Sequence, residues 1–272
     1  MEDVGPQNNV YIRSSIWRMF RDAADEDYLV ARMSARSRLQ FQYCWSSQQA
    51  IEKYLKAILL LNNRSINFTH DLTDMFSSAT DIAEDLIPSI LVPPNVFPRE
   101  RALFAFPPFE PVSDYIKRVE RLGRPDNRYR SYSITLDFGD LNKLDNLCFM
   151  LRRIAFPLDM LVEGYNETAR ELLGKHPLLQ LHPKMGFQNN IHKGAKDIIG
   201  ESFRWRNFSY FYEEAVDQEK ICAGGSAINS EIFLNIEGGQ ERLEALAWLA
   251  DHALPKKFRS PLKEEIAKRG SE

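Results

Sequence analysis

An all-α fold, a helical bundle followed by a mainly helical C-terminal extension, is what this 272-residue sequence predicts, and three observations carry the prediction. Apolar residues recur every three or four positions along several long stretches, the spacing that paints one stripe on a helix. Glycine and proline are absent from residues 15–39, 41–61 and 70–86 and gather in the connections. One short stretch, residues 132–138, is read as a candidate strand.

Taken in order, Ile16, Met19, Phe20, Ala23, Ala24, Tyr28, Ala31 and Ala35 form the stripe of a first helix over residues 15–39. Its other faces are assigned to Arg18, Arg21, Asp25, Glu26, Arg32 and Arg36. A second helix over residues 41–61 shows the clearest stripe, Phe41, Cys44, Trp45, Gln48, Ile51, Leu55, Ile58 and Leu59, among good helix formers. Glu52 and Lys56 stand four apart in the favourable order. Asn62 and Asn63 break the pattern, and Thr69 is placed to cap a third helix over residues 70–86, with His70 and Asp71 in its first turn. That element is acidic, because residues 65–98 hold no Lys or Arg.

Seven of the fourteen prolines fall in residues 88–111, interleaved with Phe97, Phe104, Phe106 and Phe109, so a packed, extended loop is expected there. A short helix over residues 113–122 follows, then a strand candidate at 132–138, then an amphipathic helix over 140–161 carried by Leu141, Leu144, Leu147, Cys148, Leu151, Ile154 and Leu158. Beyond Gly164 the periodicity weakens. A bundle over residues 10–163 and an extension of unassigned role over 164–272 are therefore expected, with helices at 240–253 and 262–269.

Composition narrows the function. At 44% apolar and 27% charged the chain is ordinary globular protein, and a net charge of −3 gives it no general pull on polyanions. Three scattered cysteines offer no Cys-x-x-Cys pair, and His182, His192 and Cys222 have no ligand spacing, so no metal site and no cofactor are expected. The N-terminus has no signal-peptide pattern, and the apolar run at 57–61 is far short of the roughly 20 residues a membrane helix needs. A cytoplasmic protein without membrane contact is the expectation. Walker, Gly-x-Gly-x-x-Gly, His-Glu-x-x-His and Gly-x-Ser-x-Gly motifs are absent from the sequence, which sets aside the common nucleotide hydrolases, zinc proteases and serine hydrolases.

What remains is a polar strip on the second helix, Gln48, Gln49, Glu52, Lys53 and Lys56, beside the loop at 62–70. The run Gln48-Gln49-Ala50-Ile51-Glu52-Lys53-Tyr54-Leu55-Lys56-Ala57, with Asp27-Tyr28 and Ala31-Arg32 before it and Thr69-His70-Asp71-Leu72 after it, resembles the HEPN family of helical domains. That resemblance implies an up-and-down bundle, often a homodimer. It also implies one of three roles: a metal-independent endoribonuclease, a toxin paired with a nucleotidyltransferase antitoxin, or a catalytically silent nucleotide-binding or scaffolding module.

In the family's nucleases an Arg is followed by a His after a short gap of about four to six residues, and Arg64 and His70 stand with five residues between them; Arg170 and His176 do too. A guanidinium can grip a phosphate while an imidazole moves the 2′-hydroxyl proton. The plainer reading of the pair is a cation placed after a helix end and a histidine bonded to Glu52 or to backbone. For binding of RNA or a nucleotide the candidates are Gln49, Glu52, Lys53 and Lys56, together with Arg121, Arg124, Arg128 and Arg130 in the basic stretch 117–130. Surface pairing with Glu120 and the acidic helices is the competing reading for the arginines.

Overall fold

The computed structural model describes residues 6–66, 71–91, 110–125, 127, 138–181, 198–205, 207, 209–210, 260, 263–264 and 266–268. The first helical rod is α1 (Val10–Ile16), a π-helical segment (Trp17–Asp22) and α2 (Ala23–Arg36) in unbroken succession. It begins earlier than the apolar stripe and stops earlier too. Arg38 takes the left-handed region at φ 59°, and the Leu39 N–H bonds back to the Ser34 carbonyl, which turns the chain out of the helix.

α3 (Gln40–Leu61) is the centre of the bundle: Ala50, Ile51, Tyr54, Leu55, Ala57, Ile58 and Leu61 are all fully buried. Its length and position follow the second stripe closely. α4 (Leu72–Ala83) starts later than expected. Asp71 is its N-cap, with the side chain accepting from the Asp74 N–H at 2.9 Å, so the capping role expected of Thr69 is corrected and Asp71 stands outside the first turn. A 3₁₀ turn (Glu84–Leu86) follows.

The ends of the proline-rich excursion pair as two short antiparallel strands, β1 (Ile90–Leu91) and β2 (Glu110–Pro111). Residues 92–109 with their phenylalanines, and the strand expected at 132–138 up to residue 137, lie outside the described residues, as does the helix expected at 240–253. α5 (Val112–Leu122) buries Val112, Tyr115, Ile116 and Val119, an i, i+3, i+4, i+7 stripe. α6 (Phe138–Ile154) ends well short of residue 161 because Pro157 disfavours helical geometry just before it.

Two contacts set the directions. Tyr43, near the start of α3, donates to the Asp140 carbonyl at the start of α6, while Asn62, past the end of α3, bonds the Phe156 carbonyl and the Leu158 N–H past the end of α6. These two helices therefore run the same way. α2 runs against both, since Asp25 meets Tyr54 and Arg152, and Arg32 meets Asp145. Farther on, α7 (Ala169–Lys175) opens with a capping box from Thr168 and Glu171, and α8 (Ile198–Arg204) lies on α2. Leu173 and Phe203 from these two helices belong to the same hydrophobic cluster as α3.

Candidate functional site

The polar strip on α3 is only partly open. Glu52 and Lys56 are 4% and 9% exposed and joined at 2.6 Å between Oε1 and Nζ, the i, i+4 pair the spacing predicts. Lys53 is half-buried against Asp27 at 2.5 Å, and Gln49 is half-buried. Gln48 is buried and its Oε1 has no hydrogen-bond partner among the described residues. These side chains fasten α3 to α2 and to their own helix, leaving little free charge on the strip.

At the end of α3 the geometry differs. Asn63 adopts a left-handed conformation at φ 57°, and the Arg64 N–H closes the turn on the Leu59 carbonyl at 2.8 Å. Asn62 stitches the same turn to residues 156 and 158. Arg64 thus leaves a well-anchored backbone with its side chain in solvent. His70 lies outside the described residues.

The second exposed cationic site is the end of α5. Gly123 presses its backbone onto α3: a Cβ there would lie 2.5 Å from the Gln48 Cβ and 2.8 Å from the Cys44 carbonyl oxygen. Buried Asn127 donates to the Arg121 and Leu122 carbonyls at 2.8 and 2.9 Å, holding the turn in place. Arg121 and Arg124 project from this fixed turn and are exposed. Arg124 is 3.7 Å from Glu120, whose carboxylate also accepts from the Thr73 hydroxyl at 2.9 Å. Arg128 and Arg130 lie outside the described residues.

Several other cations among the described residues are consumed inside. Arg118 bonds Glu110 at 2.8 Å and Asp140 at 2.6 Å, and Lys143 joins the same Glu110 oxygen at 2.8 Å. Desolvation works against the Arg118 charge, yet the bonds to Glu110 and the charge of Asp140 outweigh it and its pKa is raised. Burial also opposes the Glu110 carboxylate, but Arg118 and Lys143 hold its pKa below the usual range. Asp25 takes Arg152 in a two-point grip at 2.8 and 3.0 Å and accepts from the Tyr54 hydroxyl at 2.6 Å. Burial raises the Asp25 pKa despite these partners, and burial followed by the nearby Arg152 charge lowers that of Arg21. Arg32 and Tyr28 both bond Asp145, buried on α6.

The assignment of Arg21, Asp25 and Arg32 to faces of the first helix away from its apolar stripe is therefore corrected: all three are buried. The signal was present. Asp25 follows Ala24, and Arg32 stands one turn after Tyr28, on the apolar face rather than opposite it. Sequence reasoning missed Asp145, the partner that makes such a position tenable.

A shallow pocket lined by Tyr43, Cys44, Ser47, Tyr115, Arg118 and Asp140 has room for about one water molecule. Burial pushes the Cys44 thiol up to about 12, which leaves it a poor nucleophile near neutral pH. Among the described residues no three His, Cys, Asp or Glu side chains are placed to hold a metal ion, and no helix is long and apolar enough to cross a membrane.

An all-α bundle built on one buried central helix, with ion pairs between its helices and arginines free at two helix ends, defines the class. Residues 17–122 match the HEPN domain family, and the chain carries an HEPN domain over that stretch. The match supports a nucleotide- or RNA-related role in general terms. No curated protein and no solved structure matches the chain.

Proposed function

We propose that this chain recognises RNA or a nucleotide by its phosphates, through arginines at the exposed ends of α3 and α5. The observation that carries the reading is the contrast in charge use. Lys53, Lys56, Arg118 and Arg152 are each spent on a carboxylate within about hydrogen-bonding distance, whereas Arg64 and Arg121 are exposed with no carboxylate partner among the described residues and Arg124 has only a loose one. Guanidinium groups in solvent on fixed turns suit a phosphate backbone, and Arg128 and Arg130 extend the same basic stretch in sequence.

The test is fluorescence anisotropy of a labelled single-stranded RNA at about 150 mM salt, comparing the full chain with Arg121→Gln/Arg124→Gln. Loss of two charge-assisted contacts is expected to weaken binding by about tenfold or more. Equal affinity of the two proteins rejects the reading.

A second, finer reading is a metal-independent endoribonuclease of toxin or defence type, acting as a homodimer and held by a nucleotidyltransferase antitoxin. The anchored backbone and exposed side chain of Arg64 favour it, with His70 as the proton-transfer partner. Cleavage of labelled RNA in EDTA, lost in both Arg64→Ala and His70→Ala, is its expected signature; absent cleavage, or cleavage indifferent to both substitutions, leaves recognition alone.

A further inference from the structure

Three buried arginines of the bundle spend donors on the chain that follows it, two of them on its backbone carbonyls. Arg32, fully buried on α2, donates from Nε to the Ser202 carbonyl at 3.0 Å and from Nη2 to the Trp205 carbonyl, while its Nη1 meets Asp145. On α6, Arg153 donates to the carbonyls of Leu173, His176 and Leu179, gathering the end of α7 and the turn after it. Its neighbour Arg152 reaches the Gln180 side chain at 2.7 Å with the donor that Asp25 does not use. Apolar contacts follow the same path. Phe203 is fully buried edge-on to Tyr28 at 6.4 Å, and Tyr210 lies 5.0 Å from Phe149 and 5.1 Å from Phe203. Asn207, itself buried, donates to the Tyr28 hydroxyl that in turn serves Asp145.

A buried guanidinium stripped of acceptors is strongly unfavourable, because it can neither be deprotonated nor reach water. Asp145 and the Tyr28 hydroxyl serve one side of Arg32, while its Nε and Nη2 donors go to the carbonyls of 202 and 205. The stretch matched by the family, 17–122, includes Arg32 but neither Asp145 nor the segment that completes its shell.

We propose that residues 169–181 and 198–205, with 207, 209 and 210, form an obligate strap: the HEPN bundle reaches its native state only with this strap seated across α2 and α6, and the two unfold as one unit. Five of the six bonds from Arg32, Arg152 and Arg153 to strap atoms end on backbone carbonyls, those of 173, 176, 179, 202 and 205, so strap identity matters less than strap presence.

The test uses the full chain with a specific protease site placed within residues 182–197. After cutting in native buffer the two pieces are expected to co-elute on size exclusion and to melt in one transition. Separated in denaturant and refolded alone, the larger piece is expected to lose that transition and to regain it when the smaller piece is added. A larger piece that melts alone like the intact chain overturns the proposal. A second variant guards against a piece that merely aggregates: Arg32→Lys in the uncut chain keeps the charge beside Asp145 but loses the fork to the two carbonyls. Its midpoint is expected to fall by roughly 5–10 °C, with proteolysis beginning within residues 198–210, while exposed Arg38→Lys changes neither. Wild-type melting and wild-type cleavage sites in Arg32→Lys would overturn the strap equally.

Discussion

The arginines of α2 and α6 and those at the ends of α3 and α5 are the same residue put to opposite uses. Arg32 and Arg152 are fully or nearly fully buried, each bonded to a carboxylate that is itself out of water. Arg64, Arg121 and Arg124 stand in solvent on turns whose backbone is tied down by Leu59, Asn62 and Asn127. A buried pair holds geometry, because losing one member strands the other; an exposed guanidinium adds little to stability and stays available to a phosphate.

The sharpest way to break the contrast is Arg152→Met, which leaves Asp25 buried without its cation and is expected to cost about 3–5 kcal/mol in urea unfolding. Pairing it with Asp25→Leu should restore a substantial part of that loss, since neither charge then remains inside. Next comes Gly123→Ala. The added methyl would meet the Gln48 side chain and the Cys44 carbonyl oxygen inside van der Waals contact, so a loss of roughly 1–3 kcal/mol and a displaced end of α5 are expected. RNA affinity should fall with it, because Arg121 and Arg124 project from that turn.

A pH series sharpens the comparison further. The folded pKa of Glu110 lies below its ordinary 4.5, so its ion pairs stabilise the fold above that value, and this contribution is lost as the pH falls through the folded pKa. Glu110→Gln is therefore expected to be less stable than wild type at about pH 6.5 and to lose less on going to about pH 3.5, as read by urea midpoints. Equal acid slopes for the two proteins would argue against the Arg118–Glu110–Lys143 cluster. Smallest of all is the stability effect of Arg121→Gln/Arg124→Gln, expected within about 0.5 kcal/mol of wild type.

Much of the bundle is legible in the sequence because its signal is local. The α3 stripe and the Glu52–Lys56 pair follow from 3.6-residue periodicity alone, as do the buried positions of α5. Boundaries were less legible. Asp71 rather than Thr69 caps α4, since several adjacent residues had capping chemistry, and Pro157 ends α6 although the apolar spacing continues to Leu158. Burial of charge was hidden for a different reason. Nothing within reach of Arg32 along its own helix announces Asp145, 113 residues on, or the carbonyls of 202 and 205. Long-range partners decide which cations are sealed, and so decide which remain for a ligand.

The most direct measurement of that division is the salt dependence of single-stranded RNA binding, taken for the full chain and for Arg121→Gln/Arg124→Gln. If both arginines contact phosphates, the slope of log K against log salt should flatten by about 1.4 in the variant, about 0.7 for each lost contact, with folding unchanged. Parallel lines of equal slope would contradict the account, and would mean that the arginines left in solvent at the end of α5 do not meet the nucleic acid.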